Sequence, residues 1–250
     1  MPEVPKTILV TGASRGLGRA IAERLAPDYN LILHASSEAS LTDTLEAIQG
    51  KEYNNVQVLP ADFSSTEEQE AFCKSLKKSA SHGLWGVVNN AGIALDKPLL
   101  YQPISDIDLM LNVNLRAPIL IGKTAFRIFL KQQQGVIINI GSIAGEIGNA
   151  YQSVYAATKA ALSGLSKSWS QEATELAPGS AIRALTINPG FFQTEMIDKI
   201  PETIIEIYRK RIPSGRFGDP QELANFVAFL FSPDAAYLNG VDLSMNGGIR

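Results

Sequence analysis

The chain has 250 residues, of which 45% are hydrophobic and 19% charged, and its formal net charge of −3 gives no electrostatic reason to expect nucleic acid or a membrane surface as a partner. One cysteine, Cys73, excludes an internal disulfide, and with only two histidines there is no Cys/His zinc cluster and little basis for a Ser-His-Asp triad. The start does not resemble a signal peptide and no apolar run reaches about 18 residues, so we expect a cytoplasmic protein without a membrane span.

Short apolar runs alternate along the chain with longer amphipathic segments. Strands are predicted at 7–10, 30–35, 56–59, 84–88, 135–140, 181–187 and 241–244. Helices are predicted at 16–26, 38–49, 66–78, 151–176 and 221–231, with a long helix around Leu109, Val113 and Ile119. Largely apolar strands, each followed by a helix, indicate a parallel sheet covered on both faces. We therefore predict a single doubly wound (Rossmann) α/β domain over 1–250, with a seven-stranded, mostly parallel sheet and its ligand at the carboxyl ends of the strands.

A glycine-rich loop, TGASRGLG at 11–18, follows the first predicted strand. Its glycine spacing differs from the G-x-G-x-x-G fingerprint. Gly12 would permit the sharp turn, while Gly16 and Gly18 would let a pyrophosphate and the helix approach closely. The alternative is a strand-to-helix turn without a ligand, but the position after the first strand of a βαβ unit favours a nucleotide site. Three further residues of the loop are assigned to that site, namely Ser14, Arg15 and Leu17.

The second predicted strand does not end in an acid. Folds that bind NAD commonly place one there to hold the ribose 2′-hydroxyl, whereas this chain reads HASSE over 34–38. A carboxylate would repel a 2′-phosphate, but Ser36, Ser37 and Arg15 could donate hydrogen bonds to one. We therefore predict NADP(H) as the cofactor. The alternative for Arg15 is a solvated loop charge, and His34 is expected to pack at the strand end.

Four polar residues are candidates for catalysis. Tyr155 and Lys159 are four residues apart in a predicted helix, so their side chains share a face. Ser142 ends the fifth predicted strand, and Asn114 lies in the helix before that strand. A tyrosine and a lysine at this spacing are common by chance. Their coincidence with a nucleotide loop and a strand-end serine makes them candidates.

The sequence resembles the short-chain dehydrogenase/reductase family along nearly its whole length. The motifs that carry the resemblance, in the family's order and approximate spacing, are TGASRGLG at 11–18, Asp62, NNAG at 89–92, Asn114, Ser142, YAATK at 155–159, NPG at 188–190 and Thr194. Within the family, the segments VTGASRGLGRAIAE, VNNAGI, AYLNG and MNGG are most similar to bacterial 3-oxoacyl-[acyl-carrier-protein] reductases. The resemblance implies an NADP-dependent oxidoreductase of fatty-acid or related acyl-chain biosynthesis, and no metal is expected.

The resemblance also implies a role for each candidate. Tyr155 would donate a proton to the substrate oxygen, and the Lys159 ammonium would lower the pKa of that phenol from about 10 toward neutrality. Lys159 would also bind the nicotinamide ribose, Ser142 would polarise the carbonyl, and Asn114 would hold a water that reaches Lys159.

Further cofactor contacts are implied on both sides of the proposed site. Along the adenosine half they are Asp62, Phe63, Asn89, Ala91 and Gly92, whereas Asn90 is expected to bond neighbouring strands. At the nicotinamide end they are Pro189, Gly190, Phe192 and Thr194, together with Tyr155 and Lys159. The segment 191–215 would cover the substrate, with Phe191, Phe192, Met196 and Ile197 forming an apolar entry or, alternatively, packing a surface helix.

The leading functional hypothesis is reduction of a 3-oxoacyl chain on an acyl-carrier protein. Docking arginines expected near 131–135 and 172–176 are largely missing, although Lys123, Arg127 and Lys131 form a stripe that is either a docking surface or a solvated helix face. The alternatives are an oxidoreductase for a small free alcohol, sugar or secondary-metabolite ketone, and a non-catalytic nucleotide-binding regulator. The apolar helix 222–231 needs cover, and with the family's usual assembly this predicts a homotetramer of 222 symmetry.

Overall fold

Seven strands form one sheet in the computed structural model, which describes residues 6–49, 55–195 and 202–250. The strands are β1 (Thr7–Thr11), β2 (Asn30–His34), β3 (Val56–Val58), β4 (Gly86–Asn89), β5 (Gln134–Ile140), β6 (Ala181–Pro189) and β7 (Asp242–Met245). Their order is β3-β2-β1-β4-β5-β6-β7, and every neighbouring pair is parallel. The strands β2 and β3 are added on one side of β1, and β4 to β7 are added on the other side. The switch point of the strand order therefore lies between β1 and β4, which is where a Rossmann fold has its binding crevice. The predicted fold class is confirmed.

Along the chain, the helices of the described residues alternate with these strands. They are α1 (Gly16–Leu25), α2 (Thr42–Gln49), α3 (Thr66–Ser79), α4 (Ile104–Leu111), α5 (Ala117–Gln132), α6 (Ile143–Ile147), α7 (Ser153–Leu176), α8 (Glu202–Arg211) and α9 (Pro220–Phe231). A π-helical turn, Asn112–Arg116, joins α4 to α5, and a 3₁₀ turn, Ala39–Leu41, precedes α2 where the sequence predicted a continuous helix. The sequence patterns did not predict α6.

The two faces of the sheet bury separate hydrophobic clusters. Alternate side chains of β1 point to opposite faces, so Ile8 and Val10 pack with α1 and α9 while Leu9 packs with α3 and α5. All three are fully buried. This burial on both faces explains why the strands read as continuous apolar runs rather than as alternating ones. None of the helices described here is long and apolar enough to cross a membrane.

Candidate active site

A cavity of about 620 Å³ lies at the carboxyl ends of β1, β2 and β4. It brings together most of the predicted cofactor residues, namely Gly12, Ser14, Arg15, Gly16, Leu17, Gly18, Ser36, Asp62, Phe63, Ala91, Gly92 and Thr194. Sequence reasoning did not assign seven other lining residues to the cofactor, namely His34, Ala35, Ala61, Asn90, Ile93, Val113 and Glu195. The cavity therefore lies where the strand order predicts a ligand.

The glycine loop has the geometry that a bound phosphate requires. Gly12 has a positive φ of 64°, and a Cβ on Gly18 would lie 2.1 Å from the carbonyl oxygen of Gly12, so a side chain at Gly18 would collide with the loop. The first turn of α1 contains no acid, and Arg15, its N-cap residue, makes no side-chain hydrogen bond to the turn. Backbone N–H groups at such a helix start favour an anion. The loop thus fits the pyrophosphate of a dinucleotide.

His34 forms part of the cavity wall. Its Nδ1 accepts from the Gly12 N–H at 3.2 Å, and its Nε2 lies 3.0 Å from the Ala61 carbonyl oxygen, so the neutral ring carries its proton on Nε2. Burial lowers the pKa of His34 from 6.5 to about 4. The ring stacks on Phe63 with centroids 3.8 Å apart. His34 is therefore the packed strand-end histidine that was expected, and it links the glycine loop to the chain after β3.

The residues around the predicted 2′-phosphate site are exposed polar groups. Arg15 and Ser36 are both exposed and both line the cavity, whereas Ser37 is exposed but lies outside the lining. Asp62, also exposed, accepts a hydrogen bond on Oδ1 from the Ser64 N–H at 2.9 Å. Among the residues that the structure describes, no acid ends β2. This end of the cavity is compatible with an NADP(H) phosphate.

Several predicted cofactor residues do not line the cavity. Asn89 is 2% exposed, and its Nδ2 donates to Asn139 Oδ1 at 2.8 Å within the sheet. The Asn89 side chain thus faces β5 and not the cavity, and its predicted contact with the adenosine ribose stays a prediction. Asn90 lines the cavity instead, and its Nδ2 donates to the carbonyl oxygens of Thr11 and Gly12 at 3.0 and 3.1 Å.

The predicted nicotinamide end is only partly exposed to the cavity. Thr194 is a lining residue, but Pro189, Gly190 and Phe192 are not. Phe192 is buried and packs so closely on Gly218 that a Cβ there would lie 2.6 Å from its ring. The alternative of simple packing thus applies to Phe192, because the chain turns its ring into the core. Met196 and Ile197, also assigned to the apolar entry, lie outside the described residues.

The catalytic candidates lie together beside Gly92. A Cβ on Gly92 would lie 3.1 Å from Lys159 Nζ and 3.3 Å from Asn114 Oδ1, so these two side chains flank a residue that lines the cavity. Ser142 is close enough to Tyr155 to lower the pKa of its phenol, and Lys159 Nζ is 5.8 Å from the centre of the Tyr155 ring. Four residues from three different elements therefore meet at one edge of the cavity.

Burial controls the protonation of this group. It lowers the pKa of Lys159 from 10.5 to about 8, and the Nζ donates to the Ile140 carbonyl oxygen at 2.8 Å. The pKa of Tyr155 is raised above 10, mainly by burial; the nearby Ser142 hydroxyl opposes this rise, and the charge of Asp96 adds to it. The expected acidification of Tyr155 by Lys159 is therefore wrong for this structure, because desolvation of the phenolate dominates.

Asn114 lies in the π turn between α4 and α5. Its Oδ1 accepts from the Ile93 N–H at 2.8 Å, and its Nδ2 donates to the Ile93 carbonyl oxygen at 2.8 Å and to Thr158 Oγ1 at 3.1 Å. Single π turns inside α-helices are frequent at functional sites. The amide of Asn114 thus holds the chain after β4 against α7, and its predicted contact with a water stays a prediction.

The described residues contain no group of three or more His, Cys, Asp or Glu side chains that could hold a metal ion. The cavity, its phosphate-binding loop and the polar groups beside Gly92 fit a nicotinamide dinucleotide with a substrate next to it.

Comparison with known proteins identifies the family. The 3-oxoacyl-[acyl-carrier-protein] reductase FabG of Vibrio cholerae is 36% identical over 247 residues, which cover 98% of this chain and 97% of that protein. FabG of Aquifex aeolicus is 37% identical over 245 residues, and FabG of Staphylococcus aureus is 35% identical over 252 residues. The family model described as short chain dehydrogenase matches residues 6–204. These relatives and the family match confirm the predicted class, an NADP(H)-dependent oxidoreductase. The chain belongs to the short-chain dehydrogenase family.

Proposed function

We propose that this protein reduces a 3-oxoacyl thioester to the 3-hydroxyacyl thioester with NADPH, the acyl chain being carried by an acyl-carrier protein. The observation that carries the proposal is that Ser142, Tyr155, the buried Lys159 and Asn114 lie together beside Gly92, at the edge of the cavity that the glycine loop lines. The thioester is proposed because the relatives that cover nearly the whole chain are named as 3-oxoacyl-[acyl-carrier-protein] reductases.

The cavity residues would hold the cofactor by its phosphates. The first turn of α1 would receive the pyrophosphate on its backbone N–H groups. Arg15 and Ser36 would donate hydrogen bonds to the 2′-phosphate. The reduced nicotinamide, when bound, supplies a hydride to the ketone carbon.

Tyr155 is suited to be the proton donor in this reaction. Its raised pKa keeps the phenol protonated at neutral pH, which is the state that can donate a proton to the substrate oxygen. The Ser142 hydroxyl lies next to Tyr155. It would donate a second hydrogen bond to the substrate oxygen as negative charge develops there. With a pKa of about 8, Lys159 is mostly charged at pH 7 and would donate a hydrogen bond to the nicotinamide ribose of the cofactor.

The carrier protein would need a basic surface, and α5 offers one. Lys123, Arg127 and Lys131 are all exposed on this helix, which contains no acid. Acyl-carrier proteins are acidic, so the stripe has the complementary charge. It is the proposed docking surface in place of the missing arginines.

Exposed apolar side chains support the proposed homotetramer. Ile104, Leu111 and Ile119 follow one another at spacings of seven and eight along α4 and α5, and they are 76%, 41% and 38% exposed. These spacings place them on one face of the continuous helix. On α9, Phe229 is also 41% exposed. Apolar faces of this kind are typically covered by a second copy of the chain.

A substrate panel tests the proposed function. Oxidation of NADPH by the purified protein is measured with a 3-oxoacyl chain on carrier protein, with acetoacetyl-CoA, and with small ketones and sugars. The proposal expects turnover with the two thioesters, faster for the carrier-bound chain, and little with the small substrates. Turnover of small ketones alone would favour the free-substrate alternative, and no turnover with any substrate would favour the nucleotide-binding regulator.

A further inference from the structure

The carboxylate of Glu146 makes two hydrogen bonds close to the catalytic group. Glu146 lies in α6, four residues after Ser142. Its Oε1 accepts from Asn188 Nδ2 at 2.7 Å and from Ser244 Oγ at 2.5 Å. Asn188, at the end of β6, is 2% exposed, so one of the two donors is buried. Glu146 is itself exposed, so these two bonds, and not burial, hold its carboxylate at the ends of β6 and β7.

The helix that contains Glu146 also sets the position of Ser142. Ser142 is the N-cap residue of α6, and its Oγ accepts from the Ala144 N–H at 3.1 Å. With five residues, α6 is too short to be stable by its own hydrogen bonds. Its position therefore depends on contacts with other elements, and a shift of α6 would move Ser142.

Two contacts hold α6 from opposite sides. On one side, a Cβ on Gly145 would lie 2.7 Å from the Ala160 nitrogen, so the backbones of α6 and α7 are in close contact next to Lys159. On the other side, the Glu146 carboxylate connects α6 to the ends of β6 and β7. Without the second contact, α6 would lose its side-chain hydrogen bonds to the ends of β6 and β7.

The Asn188 side chain contacts the chain on both sides of Ser142. A Cβ on Gly141 would lie 2.0 Å from Asn188 Oδ1, so the amide lies directly against the residue that precedes Ser142. The Nδ2 of the same amide donates to Glu146. The Gly141 N–H also donates to the Ile187 carbonyl oxygen at 2.7 Å. The Asn188 side chain thus contacts Gly141, which precedes Ser142, and Glu146, which follows it.

We propose that Glu146 is a positioning residue: its carboxylate holds α6 against the ends of β6 and β7 and so fixes the Ser142 hydroxyl relative to Tyr155. The inference rests on the proposed function, because it assigns Ser142 to the substrate carbonyl. Glu146 acts through α6 and takes no proton in the reaction. Misplacement of a catalytic group by about 1 Å can cost about a hundredfold in rate, so a side chain outside the reacting group can control kcat.

Three variants test the proposal. Glu146→Ala removes the acceptor, Glu146→Gln keeps an amide oxygen for both donors, and Glu172→Ala removes an exposed carboxylate of α7 as the matched control. We expect Glu146→Ala to lower kcat about tenfold to a hundredfold with a smaller change in KM. Glu146→Gln should stay within about threefold of the wild type, because only the charge assistance of the hydrogen bonds is lost. The control should match the wild type.

A second readout uses the cofactor-free protein and needs no turnover. The Gly148 N–H donates to the Ala144 carbonyl oxygen at 3.0 Å and reports whether α6 is intact. We expect its hydrogen-exchange protection to fall about fivefold or more in Glu146→Ala and to stay unchanged in the control. A wild type without ketone reduction would refute the proposed function, while the exchange measurement would still test the contact between Glu146 and α6.

Ser244→Ala removes one donor from the exposed edge strand and serves as a milder variant. It should lower kcat less than Glu146→Ala does, and it should add nothing in the Glu146→Ala background, because both act through one contact. Wild-type kcat and wild-type Gly148 protection in Glu146→Ala would overturn the proposal. So would Glu146→Gln being as impaired as Glu146→Ala, since that result would make the negative charge, and not the position of α6, the essential property.

Discussion

Replacing Lys159 by methionine should change how the stability of the protein depends on pH. Lys159 is 4% exposed, and burial lowers the pKa of its ammonium group from 10.5 to about 8. Between these two values the unfolded chain binds a proton that the folded chain has released. The stability of the wild type therefore rises with pH across this window, and Lys159→Met abolishes this contribution.

The size of the effect follows from the two pKa values of Lys159. Their difference of about 2.5 corresponds to about 3 kcal/mol in the free energy of unfolding. We expect the difference between wild type and Lys159→Met to move by about 3 kcal/mol in favour of the wild type from pH 7 to pH 10.5. The variant also loses the hydrogen bond from Nζ to the Ile140 carbonyl oxygen, but the loss of that contact shifts the difference by a similar amount at every pH.

Urea unfolding of both proteins, without cofactor and at one protomer concentration, measures this difference at several pH values. Lys123→Met, which replaces an exposed lysine of α5, is the control and should show no such trend. If the difference between wild type and Lys159→Met stays constant from pH 7 to pH 10.5, the reasoning that burial controls the charge of Lys159 is refuted.

Three further predictions concern the cofactor loop and the assembly. Arg15→Ala should lower the ratio of kcat/KM for NADPH over NADH about tenfold or more, because a charged hydrogen bond to the 2′-phosphate is lost; an unchanged ratio would contradict the assignment. Gly18→Ala places a Cβ 2.1 Å from the Gly12 carbonyl oxygen and should lower the free energy of unfolding by about 1–3 kcal/mol in urea titrations; wild-type stability would contradict the close contact. Light scattering at micromolar concentration should give the mass of a tetramer, and the mass of a monomer would overturn the proposed assembly.

Local patterns in the sequence predicted most of the fold. The strands are buried on both faces, so their composition shows them directly, as in β5, where six of seven residues are buried. The glycine loop was also predicted from its place after β1. The sequence did not show α6, because its five residues depend on packing against α7 and on the hydrogen bonds of Glu146 to the ends of β6 and β7, which are distant in the chain. The π turn that holds Asn114 was missed for a similar reason, since its residues read as part of one long helix.

The sequence predicted which residues lie at the candidate site more accurately than it predicted their pKa values. The residues that line the cavity follow from strand order, but which of two adjacent asparagines faces it depends on where β4 ends. Since β4 includes Asn89, that side chain turns to the neighbouring strand and Asn90 reaches the cavity. The pKa of Tyr155 depends on its burial, which a helical spacing of four from Lys159 does not reveal.

The central claim is that Tyr155 delivers the proton in an NADPH-dependent ketone reduction, and Tyr155→Phe tests it most directly. The variant keeps the ring and loses the hydroxyl. With the best thioester substrate, kcat should fall about a hundredfold to ten-thousandfold, while the dissociation constant for NADPH, measured by fluorescence titration, should stay within about twofold of the wild type. A variant that turns over at the wild-type rate, or one that no longer binds NADPH, would contradict this account of the site.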